Sequence, residues 1–272
     1  MNLITKYLTK NPCYTAGRSI AVKGLMLHSV GCPQPNPLVF VNNWNKSSYS
    51  NACVHGFIGE DDVYITLPCL EATRTSGQGK AHRGWHGGGS SNNTHVGVEM
   101  CEPSNITYVG GATFTCTDKA KAIAFVKKTT ENAVELFAQL CQYHNLDPLA
   151  DGVIISHAEG YQRGIATNHG DPSHLWNGLG MDYNMDRFRA DVAARMKGEE
   201  EMTQEQFNKM MDVYLTQQEA KEPSDWSADA RNWAEGEGII AGDTNGNKMY
   251  KAFCTREQMV VFLRRLAQKL GA

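Results

Sequence analysis

The 272-residue sequence has no apolar run long enough to cross a membrane, and its N-terminus lacks an apolar segment followed by a small-residue cleavage site. It also lacks a basic run, and its formal net charge is −3. These absences argue against a membrane-inserted protein and against nucleic acid or an anionic membrane as the main partner. We therefore expect a globular chain that is made in the cytoplasm.

Two cysteine and histidine signatures are missing as well. The eight cysteines form no C-x-x-C pair and are scattered along the chain, which predicts reduced thiols and not a disulfide framework. The helical zinc-protease motif H-E-x-x-H is also absent. Any metal chemistry must therefore come from residues that are far apart in sequence.

The hydrophobic pattern that is present predicts strands alternating with helices. Strands are predicted in "KGLMLHSVG", with side chains on alternating faces, in "THVGVEMCE", and in "GVIISH", which a long loop should follow. The segment "ACVHGFIGEDDVYITLP" predicts a hairpin with its turn at Gly59–Asp62. Helical spacing predicts one helix from Thr117 to His144 and a closing helix that ends at Gly198. This alternation predicts an α/β fold with a mixed central β-sheet flanked by helices.

The run "GEEEM" at 198–202 interrupts this pattern and is predicted to be a linker between a domain at 1–197 and a small, mostly helical domain at 203–272. Capping boxes of the form T-x-x-Q are predicted at Thr203–Gln206 and Thr255–Gln258. About seventy residues is close to the lower limit for independent folding, which favours packing on a partner or self-association. The sequence leaves the oligomeric state open. Four side chains of the last helix are predicted to face inward: Met259, Phe262, Leu263 and Leu266.

Two histidines follow predicted strands directly: His28 after "GLML" and His157 after "VIIS". Ligand sites in open α/β sheets collect at the carboxyl ends of strands. With Asp171 as a third ligand, the set has the stoichiometry of a catalytic zinc site. The alternative is structural: histidines at strand ends are commonly hydrogen-bonded surface residues, and Asp171 before Pro172 also fits a helix N-cap. The residues alone leave both interpretations open.

Three segments together carry a family resemblance. "MLHSVG", "HVGVEM" and "ISHAEGYQRGIATNHGDP", in this order and spacing, resemble the zinc-dependent N-acetylmuramoyl-L-alanine amidases, which include phage lysozyme-type amidases and animal peptidoglycan-recognition proteins. The resemblance spans roughly residues 10–197. It implies cleavage of the amide between the lactyl group of muramic acid and the L-alanine of the stem peptide. It also implies one Zn²⁺ in a surface groove, bound by His28, His157 and Asp171.

The resemblance implies two catalytic residues. Some members place a tyrosine where Val54 stands here, so the strand glutamate of the other branch, which Glu99 matches, is the implied general base. His169 stands where a lysine is common and is the implied donor to the developing oxyanion. Gly97 shares the face of Glu99 on the predicted strand and is expected to leave room for substrate.

The glycine-rich stretch "HRGWHGGGSSNNTH" at 82–95 is interpreted as a groove wall, too flexible for the core, in which Trp85 and His86 contact the glycan or peptide. In the tail, "WAEGEGIIAGD" and "TREQMVVFLRRL" resemble a single S-layer-homology repeat. That module usually works in three copies and binds secondary cell-wall polymers in its family. Arg256 in "TREQ" is the implied polymer contact.

The resemblances together imply a phage-type endolysin that acts on peptidoglycan after release from the host cytoplasm. Two rivals remain: a bacterial autolysin or germination amidase with the same chemistry, and a peptidoglycan-binding protein without catalysis. The retained Glu99 and the three implied ligands argue against the last of these, since a pure binder needs no metal set.

Overall fold

The computed structural model describes residues 1–70, 80–198 and 204–271. The chain divides into two compact units, Met1–Glu200 and Glu201–Ala272. In the part of the chain that is described, no helix is both long enough and apolar enough to cross a membrane.

The strands in chain order are β1 (Asn2–Thr5), β2 (Ser19–Ala21), β3 (Gly24–Ser29), β4 (Gly56–Ile58), β5 (Asp62–Ile65), β6 (Lys80–His82), β7 (His95–Met100), β8 (Ile106–Gly110), β9 (Thr113–Cys116) and β10 (Ile154–Ser156). The helices are α1 (Pro12–Thr15), α2 (Pro37–Trp44), α3 (Lys119–His144), α4 (His157–Gln162), α5 (Ser173–Gly178), α6 (Met185–Gly198), α7 (Gln204–Glu219), α8 (Ala228–Gly236) and α9 (Arg256–Lys269).

Six strands form the central sheet in the order β1-β5-β4-β7-β3-β10. β4 and β5 are antiparallel, and the other neighbouring strands are parallel. The sheet is therefore mixed, and the predicted α/β class is confirmed. Two small antiparallel pairs, β2-β6 and β8-β9, lie outside it. Neither these pairs nor β1 was predicted from the sequence.

β3 is the strand that carries the first candidate ligand to the site. All six of its residues, Gly24–Ser29, are buried, although alternating faces were expected. β3 lies between β7 and β10, and a strand in the interior of a sheet that is covered on both faces buries both sets of side chains. Because β3 is paired in parallel with both neighbours, the position of its carboxyl end relative to β7 and β10 is fixed.

α3 and α6 cover the sheet, as their hydrophobic spacing predicted. The Asp118 side chain caps α3 by accepting a hydrogen bond from the backbone N–H of Lys121, and Asn145 ends the helix in the left-handed region at φ 55°. α3 thus begins two residues after the predicted start. Phe137 of α3 and Phe188 of α6 pack edge to face with ring centroids 5.1 Å apart.

Two local expectations around the third motif are wrong. A long loop was expected after the strand "GVIISH", but α4 begins at His157, where Ser156 and Glu159 form a capping box. Asp171 was a candidate N-cap, but the N-cap position of α5 is Pro172, and no side chain caps that helix. The Asp171 carboxylate is instead turned toward His28.

The C-terminal unit contains α7, α8 and α9. The capping box at Thr255 and Gln258 is confirmed, whereas Thr203 and the predicted linker beyond Gly198 lie outside the described residues. The predicted inward face of α9 is wrong in part, because Met259 is 53% exposed and Leu263 is 58% exposed. The assignment of separate functions to 1–197 and 203–272 stays a prediction.

Candidate active site

The three predicted ligands meet at the carboxyl end of the central sheet. His28 is the next-to-last residue of β3, His157 is the first residue of α4, and Asp171 precedes α5. The Nδ1 atoms of His28 and His157 are 3.1 Å apart. Asp171 Oδ2 lies 3.2 Å from His28 Nδ1, and Oδ1 lies 3.5 Å from His157 Nδ1. All three residues are buried.

Strand register explains this convergence. β3 and β10 are parallel neighbours in which Leu27 is paired with Ser156. His28 follows Leu27 on β3, and His157 follows Ser156 as the first residue of α4, so the two histidines lie side by side at the end of the paired strands. Parallel neighbouring strands end at the same edge of a sheet, and for this reason residues 129 positions apart meet.

The charges of the cluster suit a divalent cation. Burial lowers the pKa of His28, so its imidazole is neutral at pH 7. Burial raises the pKa of Asp171, but its contacts with His157 and His28 outweigh this and hold it well below its usual value. The cluster therefore offers two imidazole nitrogens and one carboxylate, a donor set typical of zinc. Two Nδ1 atoms at hydrogen-bond distance cannot both carry protons, so at least one nitrogen lone pair faces the cluster.

Glu99 lies beside this cluster because β7 pairs with β3 so that Glu99 is opposite His28. Its Oε2 atom is buried and has no hydrogen-bond partner among the described residues. Burial raises its pKa well above the usual value, and the nearby Asp171 and Glu102 carboxylates raise it further. Because Glu99 as a whole is only partly buried, its carboxyl group can exchange a proton with a substrate or water.

His86 is almost fully enclosed by other protein atoms. It is 9% exposed, and its Nδ1 atom is 3.0 Å from Nε2 of His28. It fills the space that Gly97 was expected to leave for substrate, because a Cβ atom on Gly97 would lie 2.3 Å from Cγ of His86. That expectation for Gly97 is therefore wrong. The predicted substrate contact of His86 stays untested.

The glycine-rich stretch is also more ordered than expected. The Asn92 side-chain oxygen accepts hydrogen bonds from the backbone N–H groups of His86 and Gly87, at 2.9 and 2.8 Å. Ser91 and Asn92 are buried within a short 3₁₀ turn. The interpretation of the segment as too flexible for the core is wrong, although part of it does line the cavity.

A cavity of about 770 Å³ opens over the three candidate ligands and is lined by Glu99, Trp85, His86 and His169 as well. His169 is exposed, and its ring centroid is 4.4 Å from that of His157. Trp85 is held by paired backbone hydrogen bonds with Cys53. Arg256, the predicted polymer contact, is an exposed residue of the C-terminal unit. The roles predicted for these residues remain untested.

Three further polar residues line or support the cavity and were not singled out from the sequence for a role there. The Tyr108 hydroxyl donates a hydrogen bond to Glu102 Oε2 at 2.7 Å and lies 2.6 Å from Nε2 of His174. Glu102 is fully buried and also accepts from the backbone N–H of Gly31 at 2.9 Å. Tyr108 reaches the site from β8, a strand that was not predicted, so no sequence signal connected it with the ligands.

Comparison with known proteins now identifies the family. The family model described as N-acetylmuramoyl-L-alanine amidase matches residues 18–174, which is more than half of the chain. The chain belongs to this amidase family. The match covers the three candidate ligands and Glu99, and it stops short of the C-terminal unit. No curated protein sequence matches the amidase significantly.

The chain is also similar to solved structures. The Staphylococcus aureus hydrolase AmiA, in complex with its ligand, is similar with a TM-score of 0.52 and 18% identity, over 72% of this chain and 83% of that one. A mutant endolysin from Bacillus subtilis matches with a TM-score of 0.46 and 18% identity, over 71% of this chain and 99% of that one. At this identity, the likeness to AmiA shows a shared fold alone.

Proposed function

We propose that the amidase is a zinc-dependent endolysin that hydrolyses the amide between N-acetylmuramic acid and the L-alanine of the peptidoglycan stem peptide. The observation that carries the proposal is the convergence of His28, His157 and Asp171 next to the buried carboxyl group of Glu99. Membership of the amidase family supplies the substrate class.

Zinc would be held by Nδ1 of His28, Nδ1 of His157 and the Asp171 carboxylate. When bound, it supplies Lewis acidity toward the scissile carbonyl and lowers the pKa of a coordinated water. Glu99 accepts the proton of the attacking water and delivers it to the leaving amine. A pKa raised by burial suits a group that must both take and return a proton. His169, at the rim of the cavity, donates a hydrogen bond to the carbonyl oxygen as negative charge develops.

The remaining assignments extend the same proposal. Trp85 provides an amphipathic wall for the glycan or peptide. The C-terminal unit binds a secondary cell-wall polymer, with Arg256 as the contact. The chain is made in the host cytoplasm and acts on the wall after a separate agent releases it. The endolysin role is motivated by the Bacillus subtilis endolysin among the structural matches.

Digestion of purified sacculi tests the reaction. The amidase should release stem peptides whose new amino termini are L-alanine, without creating new reducing sugar ends. Labelling of free amines followed by mass spectrometry identifies the ends. New reducing ends in place of free L-alanine amines would refute the proposed bond specificity, since they indicate cleavage of the glycan.

A further inference from the structure

His86 is a buried histidine outside the candidate ligand set, and both of its ring nitrogens have defined partners. Nε2 lies 3.0 Å from the backbone carbonyl oxygen of His95, and Nδ1 lies 3.0 Å from Nε2 of His28. A carbonyl oxygen can only accept, so Nε2 of His86 must carry the proton. The His86 ring is buried and contacts no carboxylate among the described residues. An unpaired buried imidazolium is strongly disfavoured, so the ring is neutral and its Nδ1 is an acceptor.

This arrangement determines the tautomer of His28. Because Nδ1 of His86 accepts, the facing Nε2 of His28 must carry a proton and donate it to this hydrogen bond. The neutral His28 ring then has its lone pair on Nδ1, the atom that faces His157 and Asp171. We propose that His86 is a positioning residue that fixes His28 in the Nε2-protonated tautomer and so presents its Nδ1 lone pair to the metal position.

The surroundings of His86 hold its ring in one place. A Cβ atom on Gly97 would lie 2.3 Å from Cγ and Nδ1 of His86, and one on Gly84 would lie 2.8 Å from Cδ2. Because neither glycine has a side chain, the ring fits into a slot between β7 and the preceding loop. Asn92 fixes the backbone of His86 from the other side. The slot leaves no space for a larger residue at either glycine.

The other candidate histidine ligand lacks this kind of control. Nε2 of His157 lies 3.3 Å from Oγ1 of Thr167, an exposed residue. The same Oγ1 lies 3.3 Å from the Gly87 carbonyl oxygen and 3.2 Å from Nδ1 of His169. Its single proton can be donated to any of these three acceptors, so the hydroxyl accommodates either tautomer of His157. The His28–His86 chain offers no such choice, because Nε2 of His86 donates to a backbone carbonyl. His28 is therefore the ligand whose orientation and protonation are set in advance of metal binding.

The first test is ¹⁵N NMR of the histidine rings in the metal-free wild-type protein, slightly above neutral pH. We expect protonated Nε2 and unprotonated Nδ1 in both His28 and His86. A proton on Nδ1 of His28 would overturn the proposal. This readout needs neither zinc nor activity, and a purely structural role for His86 would not impose it.

The second test compares His86→Leu with His86→Asn. Leucine removes the acceptor, whereas the asparagine side-chain oxygen can take the place of Nδ1. Loss of a partner that orients a ligand typically costs about 10- to 100-fold in metal affinity, so we expect that loss for leucine and a substantially smaller one for asparagine. Zinc affinity is measured by competition with a chelator. The His28 tautomer should stay fixed in His86→Asn and become mixed in His86→Leu.

Equal zinc affinity in His86→Leu and wild type, or an equal loss in both variants with His28 still Nε2-protonated, would contradict the inference. Thermal unfolding of the metal-free variants serves as the control for general destabilisation. The inference rests on the proposed zinc function, but the two can fail separately. Wild-type protein that binds no zinc would refute the zinc proposal, while the spectrum of the metal-free protein still decides the tautomer.

Discussion

The two units of the amidase differ in how their apolar side chains are covered. In the N-terminal unit, apolar side chains of the central sheet and α3 belong to one buried hydrophobic cluster. In the described part of the C-terminal unit, the buried hydrophobic residues are Ala234 and Ile239, whereas Trp226 and Met259 are 88% and 53% exposed. Hydrophobic spacing predicts which face of a helix is apolar, and it does not predict whether another element covers that face.

The units also differ in their polar residues. Among the described residues, the group able to hold a metal ion lies in the N-terminal unit. The C-terminal unit presents exposed aromatic and basic side chains such as Trp233 and Arg256. We therefore expect bond breaking in the first unit and wall binding in the second.

Loss of a candidate ligand should have the largest effect. His157→Ala removes one of two imidazole donors, so we expect zinc to fall from about one ion per chain to a small fraction of that. Turnover should fall beyond the roughly 10,000-fold upper range for loss of a general base, because the cation and the water it activates are both lost. Elemental analysis and a muropeptide assay measure the two quantities. Full zinc retention in the variant would exclude His157 as a ligand.

Glu99→Gln should separate catalysis from metal binding. The substitution preserves size and removes the base, so we expect turnover to fall by about 100- to 10,000-fold. Zinc content and binding to intact walls should stay near wild type, since Glu99 is not a proposed ligand. A loss of less than about threefold would place Glu99 outside the mechanism and direct attention to His169. Loss of zinc would instead make Glu99 a ligand.

The meeting of His28 and His157 was predictable from sequence because each lies at the end of a hydrophobic strand, whereas the full ligand set with Asp171 was implied by the family resemblance. The residues around the ligands were not. His86 lies in a glycine-rich segment that has no hydrophobic period, and the slot that holds its ring depends on Gly97, which is on a different strand. Tyr108 reaches the cavity from a short strand outside the central sheet. Contacts of this kind depend on tertiary packing, which local patterns do not encode.

Acid should weaken the N-terminal unit through its buried histidines. Burial lowers the pKa of His55 to about 4, despite hydrogen bonds to His82 and Gly97 that raise it. The unfolded chain, with a His pKa of about 6.5, binds more protons between these values. The stability is therefore fully present above about pH 6.5 and is lost as the pH falls toward 4, by up to about 3 kcal/mol for this residue.

Denaturant unfolding of the metal-free chain at pH 7 and pH 5 measures this effect. His55 alone should account for a loss of about 2 kcal/mol between the two. His55→Gln cannot titrate and keeps a donor for the His82 carbonyl, so it should lose correspondingly less between the same two pH values, although it is less stable at pH 7. If wild type and variant lost the same free energy of unfolding, His55 would not be the source. Chelation removes the pH dependence of metal binding from the comparison, and protonation of the metal-free ligands is common to wild type and variant.

Removal of the C-terminal unit tests the division of labour most directly. A chain that ends at Gly198 retains the complete central sheet, α3, α6 and every residue that lines the cavity over the candidate ligands. We expect its turnover of soluble muropeptides to match that of the full chain. On intact walls the full chain can hold the polymer and the peptidoglycan together, and linkage of two binding modules typically adds at least about 100-fold in avidity. The shortened chain should therefore pellet with walls about that much more weakly.

Arg256→Ala in the full chain is the matched point variant, and it should weaken wall binding without changing soluble turnover. Loss of soluble turnover in a shortened chain whose circular dichroism is unchanged would mean that the C-terminal unit takes part in catalysis, and equal pelleting would mean that it does not bind the wall.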